Sequence, residues 1–146
     1  MQKVDIHQLR NEREQLISAL LKSCLVFFAF SDKQFAENKT PLQEGEKYVS
    51  LLSGGYCPKS MAEPFIKGME QIGQWFKDQI QEHGLRKQLI SYELGNHEAW
   101  YVYDIEDTMY ALGEGFTEEE VWEVFNEGLE FQEVWESTRH ILKITH

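Results

Sequence analysis

Lysine and arginine are missing from about a third of this sequence. After Lys87 neither residue occurs until Arg139, and residues 88–138 contain 14 Asp or Glu, so this block carries a net charge of −14. The rest of the chain has 11 acidic and 14 basic residues. Nucleic acids and anionic membranes are bound through basic patches, so the acidic block argues against both as direct ligands.

Cysteine is scarce, and long apolar runs are absent. The chain has only Cys24 and Cys57, far apart and without the C-x-x-C spacing of metal and redox motifs. Its first apolar run, residues 24–30, is much shorter than the roughly 20 residues that a membrane span needs. No basic leader precedes this run. We therefore expect a cytoplasmic protein with no disulfide, no signal peptide and no membrane contact.

The residues that are present predict an α+β fold: a helix-dominated single globular domain over residues 1–146 with a small antiparallel sheet. Hydrophobic residues make up 42% and aromatic residues 13% of the chain, which is enough for a folded core. Spacing and capping residues predict the following elements: a helix at 5–22 begun by Asp5, a strand at 25–30, a short helix begun by Ser31, a strand at 48–52 paired with the first strand, a helix from Ser60 to Gly84, a helix from Asp104 to Leu112, and a helix from Thr117 to about residue 135.

Residues 86–103 fit two structures. As a helix, they place Leu89, Ile90 and Leu94 on one face. As a hairpin, they alternate apolar and polar residues around a turn at Gly95-Asn96. The helix is favoured for residues 86–98. The tail at residues 141–144 fits either a continued helix or an edge strand.

Histidine and carboxylates gather at residues 93–107. On a helix, Glu93 and His97 face the same side, so they can share a divalent ion with Asp104 or Asp107, or serve as a general acid and base in which the carboxylate orients the ring. Glu98 is the third catalytic candidate. The structural alternative is a half-buried His97 bonded to Glu93, with the aspartates only capping a helix. That alternative is favoured because no second histidine lies at metal-ligand spacing and the H-E-x-x-H pattern is absent. We therefore predict no metal and no cofactor.

The glycine-bearing segment 53–60 leads towards a predicted helix. Its backbone amides, together with Lys59, could bind an anion at a helix N-terminus. An ordinary turn explains the glycines more simply and is favoured. Cys57 lies near the same helix start, where a thiol pKa can fall. No Cys-His-Asp arrangement supports catalysis, so an inert cysteine is favoured.

The acidic block itself is the main functional signal. The simplest explanation of these carboxylates is that they form the solvent-exposed face of an amphipathic helix. Such faces, however, normally carry both signs of charge. A surface with one sign of charge attracts oppositely charged protein patches. The predicted binding residues are Asn96, Asp104, Asp107, Glu118, Glu119 and Glu123.

A resemblance rests on three groups of residues: 28–31 with 34–35, 54–59, and 92–93 with Asn96-His97-Glu98 and 103–108. Over residues 25–125 the sequence resembles small uncharacterised proteins of bacterial phages, plasmids and conjugative elements. The resemblance implies a bacterial cytoplasmic setting. It implies no activity and transfers no catalytic residue.

The sequence therefore predicts a non-enzymatic, acidic interaction protein of a bacterial mobile element that binds a basic protein surface. The alternative is a small metal-dependent or acid–base hydrolase centred on Glu93, His97 and Asp104. The oligomeric state is left open. A third possibility places Trp75, Trp100 or Trp122 in an oligomer interface.

Overall fold

The chain folds into two compact units. The structure, a computed structural model, describes residues 4–129. Unit 1 is Met1–Glu82 and unit 2 is His83–His146. The predicted fold class is confirmed: the described residues form a helix-dominated α+β fold with a small antiparallel sheet. The single domain over residues 1–146 stays a prediction.

Two long helices pack against each other in unit 1. Helix α1 is Ile6–Ser23, and its predicted cap is confirmed because the Asp5 carboxylate accepts a hydrogen bond from the Gln8 amide at 2.8 Å. Helix α3 is Lys59–Glu82. The two approach closely where Gly68 of α3 faces the Leu20 side chain, since a Cβ there would lie 2.8 Å from Leu20 Cδ2.

A three-stranded sheet joins these helices, in the antiparallel order β1-β3-β2. Strand β1 is Phe27–Phe28, β2 is Tyr48–Ser50 and β3 is Gly55–Pro58. The predicted pairing of the first two strands is wrong, because β3 lies between them. A short 3-10 turn at Leu52–Gly54 reverses the chain, and residues 55–58 of the segment explained above as an ordinary turn form the central strand. The sheet tolerates Pro58 because this residue lies beyond the register with β1.

Helix α2, Asp32–Asn38, covers one face of the sheet. Its predicted cap is confirmed, since Ser31 Oγ accepts from the Gln34 amide at 3.1 Å. Rings from this helix and all three strands form one aromatic cluster, with centroid separations between 5.1 and 5.7 Å: Phe27, Phe35, Tyr48 and Tyr56.

The start of α3 differs from the prediction. The helix begins at Lys59, so Ser60 lies inside the first turn and cannot be the cap. The Glu46 carboxylate instead accepts from the Ser60 amide at 3.0 Å and from its hydroxyl. The capping group therefore comes from 14 residues upstream, beyond the reach of any local capping pattern.

In its described part, unit 2 consists of helices joined by short turns, without a strand. The helix favoured for residues 86–98 is confirmed as α4, Arg86–Asn96, and the hairpin is wrong. Helix α5 is Ala99–Val102, α6 is Glu106–Leu112, and α7 covers residues 118–129.

The caps of unit 2 follow the prediction in part. Thr117 caps α7 as predicted, since its Oγ1 accepts from the Glu120 amide at 3.2 Å. Helix α6 begins two residues after the predicted Asp104, whose carboxylate accepts from the Glu106 amide at 3.0 Å. The predicted end of the last helix near residue 135 and the tail at 141–144 lie outside the described residues.

The core of unit 2 consists of apolar side chains from these helices, all at most 7% exposed: Leu89, Ile90, Leu94, Ile105, Leu112, Val121 and Phe125. Within residues 4–129, none of the helices combines the length and the apolar character required to traverse a bilayer.

Candidate functional site

The Trp100 side chain anchors the short helix α5 against α7. Its indole Nε1 donates to the Phe125 carbonyl at 2.8 Å, and its ring stacks on the Phe125 ring at 6.1 Å and 16°. The indole occupies the space beside Gly128, where a Cβ would lie 2.6 Å from Trp100 Cε2. Gly128 is therefore required in the helix by the tryptophan that packs on it.

Two non-glycine residues in left-handed conformations bound α5. Glu98 has φ 53° and ψ 33°, and Tyr103 has φ 59° and ψ 41°. Such conformations cost about 1–2 kcal/mol per residue and persist only where the surroundings hold them in place. Two contacts keep these residues in place. The Trp100 indole bonds to the Phe125 carbonyl, and the Tyr103 ring packs edge-on against the Phe125 ring with their centroids 5.1 Å apart. The turn then exposes the side chain of Tyr101.

Exposed tyrosines and carboxylates are concentrated between Glu98 and Tyr110. Tyr101 and Tyr110 are 90% and 91% exposed, and Tyr103 is 62% exposed. On α6, Glu106 lies four residues and Asp107 three residues before Tyr110, so all three share one side of the helix. We call the following residues the acidic–tyrosine surface: Glu98, Tyr101, Tyr103, Asp104, Glu106, Asp107 and Tyr110.

The only arginine and the only lysine at positions 83–129, Arg86 and Lys87, are already paired within unit 2. The Arg86 guanidinium forms a two-pronged pair with Glu120, in which Nη2 and Oε2 are 2.8 Å apart, and Lys87 pairs with Glu127. Arg86 also lies over the Phe116 ring at 4.0 Å. Its hydrogen bond lowers the pKa of the Glu120 carboxyl, and the same bond raises the pKa of Arg86.

The other exposed carboxylates of unit 2 have no ion-pair partner within residues 4–129. They include three of the predicted binding glutamates, which lie on the first turns of α7. The full set is Glu98, Asp104, Glu106, Asp107, Glu114, Glu118, Glu119 and Glu123. The pairing of Arg86 and Lys87 with Glu120 and Glu127 thus leaves negative charge uncompensated on both sides of α5, on α6 and at the start of α7.

The structure brings two of the predicted catalytic residues together. His97 Nε2 lies 3.3 Å from Glu93 Oε2, with side chains 30% and 12% exposed, so this contact is partly buried. Asp104 is engaged with the Glu106 amide, while Asn96 and Glu98 are exposed at the end of α4. Among the described residues, no three His, Cys, Asp or Glu side chains are grouped so as to hold a metal ion. The arrangement is a dyad, which can orient an imidazole and exchange a proton with it.

A family of unknown function, DUF7659, matches residues 9–137. The chain belongs to the DUF7659 family. No curated protein and no solved structure matches it.

In this DUF7659 chain, the predicted anion site is filled from within. The Ser60 amide, in the first turn of α3, donates to the Glu46 carboxylate, so a side chain of the protein occupies the position that an anion would take. The hydrogen bonds from Ser60 lower the pKa of Glu46. Cys57 is completely buried in β3, and this burial raises the pKa of its thiol. The low-pKa alternative for Cys57 is therefore wrong, and the favoured inert cysteine fits.

Sequence reasoning missed the tyrosines of the DUF7659 acidic–tyrosine surface. Tyr101 and Tyr103 belong to a Trp-Tyr-Val-Tyr run that looks like a buried strand. The side chains turn outward because two left-handed residues, Glu98 and Tyr103, flank α5. Nothing in the local sequence marks either residue as left-handed. The signal that was available is Gly128, a glycine inside a helix, which points to a bulky neighbour.

Proposed function

We propose that this DUF7659 protein is a non-enzymatic interaction protein whose acidic–tyrosine surface binds a basic protein segment. One observation carries the proposal: apart from Glu127, the exposed carboxylates of unit 2 have no ion-pair partner within residues 4–129, while Arg86 and Lys87 are engaged with Glu120 and Glu127. A bacterial cytoplasmic setting and a mobile-element origin, which the sequence resemblance implies, belong to the same proposal.

The chemistry of the surface selects lysine and arginine. Carboxylates accept charge-assisted hydrogen bonds from these side chains, and tyrosine faces attract cations. Tyr101 and Tyr110 are almost completely exposed. Because tyrosine loses little conformational entropy on binding, and because it is enriched at energetically important interface positions, these residues supply contact area beside the charges.

The test is a titration of a fluorescent arginine-rich peptide, followed by anisotropy. We expect saturable binding that weakens as salt rises, because exposed charges are screened. Glu106→Gln with Asp107→Asn should weaken binding roughly 5-fold in total, at about 0.5 kcal/mol for each of the two exposed charges. The matched control removes two exposed carboxylates from α1 in unit 1, Glu12→Gln with Glu14→Gln, and should bind as the parent does.

A second variant separates tyrosine contacts from charge. Tyr101→Ala with Tyr110→Ala leaves every carboxylate in place and removes side chains that are about 90% exposed. We expect weaker peptide binding with an unchanged melting temperature. If the tyrosine and carboxylate variants both bind as tightly as the control, this surface is not the binding site.

The acid–base hydrolase remains the second candidate, and the 3.3 Å contact between His97 and Glu93 favours it. An imidazole positioned by a carboxylate can act as a general base, and this pair brings the two groups together. Assays on nucleotide and phosphoester substrates would show turnover that is lost in His97→Gln. Turnover equal to that of the parent in this variant would eliminate the dyad as its source.

A further inference from the structure

The outer edge of strand β2 is open. The Leu51 amide donates to the Gly55 carbonyl at 2.6 Å, so position 51 is a hydrogen-bonded position of the β2–β3 pair. Such positions alternate along an antiparallel strand. Val49 therefore pairs with β3, while Tyr48 and Ser50 point their N–H and C=O groups away from the sheet. The described residues provide no backbone partner for these outward groups.

The opposite edge of the same sheet is closed by side chains. The Phe28 carbonyl of β1 accepts from Asn38 Nδ2 at 3.0 Å, and the Phe30 amide donates to Gln34 Oε1 at 2.8 Å. Proteins commonly cover an edge strand because its open backbone groups recruit other strands. One edge is protected here and the other is available for pairing.

An apolar groove runs beside the open edge. It has a volume of about 640 Å³ and lies between β2 and α3, with Val49 and Leu51 on one side and Ala62 and Ile66 on the other. Ile66 is 52% exposed. Val49 and Leu51 project from the same face of β2, because side chains two apart point the same way. A strand added to this edge would place its alternate side chains in the groove.

The charges around the groove favour a second copy of the same surface as its binding partner. Its rim has two basic and two acidic residues, Lys59, Lys67, Glu63 and Glu70. Unit 1 as a whole has 10 Lys or Arg and 11 Asp or Glu, so it is nearly neutral. A two-fold interface requires one patch to complement itself, and a rim with both signs meets that requirement. An acidic or a basic peptide would be matched better by a rim of one sign.

We propose that this edge binds a second copy of the chain through antiparallel pairing of the two β2 strands. With the two-fold axis at Val49, the outward groups of Tyr48 in one copy pair with those of Ser50 in the other, and the reverse. The two sheets become one sheet of six strands. Val49 and Leu51 of each copy then enter the groove of its partner. Three-residue strands make a small interface, so the dimer is weak and depends on concentration.

The first test is sedimentation equilibrium of the full chain from about 1 µM to about 1 mM, where small interfaces dissociate. The average mass should rise towards twice the monomer mass. Ile66→Glu places a charge in the groove and should keep the chain monomeric over this range. Leu52→Glu is the matched control, because Leu52 is 92% exposed and is not part of the groove lining; it should dimerise as the parent does.

The second test measures amide hydrogen exchange at low and high concentration. The Ser50 amide should exchange at least 10-fold more slowly at high concentration, because pairing protects it. The Val49 amide bonds within the monomer, so its exchange should change little. Ser50→Pro removes the outward N–H and should abolish the dimer; if this variant does not fold, the Ile66→Glu comparison still decides.

The proposal is overturned if the parent is monomeric up to the highest concentration, or if Ile66→Glu dimerises as the parent does. It is also overturned if Leu52→Glu is equally monomeric, or if the groove takes an unrelated extended peptide while the chain stays monomeric. Binding of the arginine-rich peptide to unit 2 should be the same in Ile66→Glu. Failure of one proposal is therefore distinguishable from failure of the other.

Discussion

Gly128→Ala should destabilise unit 2, although glycine-to-alanine changes within helices usually stabilise. Alanine is favoured over glycine in a helix by about 1 kcal/mol. The new Cβ, however, would lie 2.6 Å from Cε2 and 2.8 Å from Nε1 of Trp100. The indole cannot turn away freely, because its Nε1 bonds to the Phe125 carbonyl at 2.8 Å and its ring is stacked on Phe125.

The magnitude follows from these contacts. Overpacking a fitted site costs about 1–3 kcal/mol, and displacing the indole from its hydrogen bond costs about 1 kcal/mol more. After the gain in helix propensity is subtracted, the free energy of unfolding should fall by about 1–3 kcal/mol. The matched control is Gly95→Ala in α4, whose Cβ would make an ordinary 3.8 Å contact with Cζ3 of the same Trp100. It should leave stability unchanged or raise it by up to about 1 kcal/mol.

The assay is urea unfolding followed by far-ultraviolet circular dichroism and by tryptophan fluorescence. Trp100→Phe in the Gly128→Ala background should recover part of the loss, because a smaller ring relieves the contact and coupled residues are not additive. If Gly128→Ala is as stable as Gly95→Ala, the Trp100 ring does not pack on Gly128 and the anchoring of α5 is incorrect.

Three further outcomes are expected. Arg86→Lys should lower the free energy of unfolding by about 1 kcal/mol, since lysine cannot reproduce the two-pronged pair with Glu120; thermal unfolding checks this, and an unchanged midpoint would contradict it. The folded pKa of Glu46 lies below its ordinary value of 4.5, so its stabilisation is complete above that value and is lost as the pH falls through the folded pKa. Glu46→Gln should therefore lower the melting temperature at pH 7, and this effect should shrink as the pH falls below 4.5; an effect that stays the same as the pH falls would count against the cap at Ser60. Gly73→Ala, on an open face of α3, should stabilise by up to about 1 kcal/mol in a chemical denaturation curve, and a loss of stability would refute the open face.

The sequence predicts those features that depend on near neighbours. Asp5, Ser31 and Thr117 each bond an amide three residues ahead, and that spacing is visible in the sequence. The amphipathic spacing of α1 and α3 is equally local. For this reason the sequence alone predicts the helix-dominated fold class.

The features that the sequence misses depend on distant partners. Arg86 pairs with Glu120 across 34 residues, and Glu46 caps a helix that begins 13 residues later. The central position of β3 depends on a turn at Leu52–Gly54 that contains a left-handed Ser53, which no propensity indicates. In the candidate site, the contact of Glu93 with His97 could be predicted from i,i+4 spacing. The exposure of Tyr101 could not, since it requires the Trp100 anchor.

Both cysteines of the chain lie in unit 1 and are shielded from solvent, with Cys24 4% and Cys57 0% exposed. A thiol-reactive dye therefore labels the native protein only when unit 1 opens. The labelling rate then reports how often unit 1 opens. Three of the four tryptophans belong to unit 2, so tryptophan fluorescence reports mainly the unfolding of unit 2. Labelling and emission transitions that coincide in denaturant would mean that the halves melt together, and separate midpoints would mean that each melts by itself.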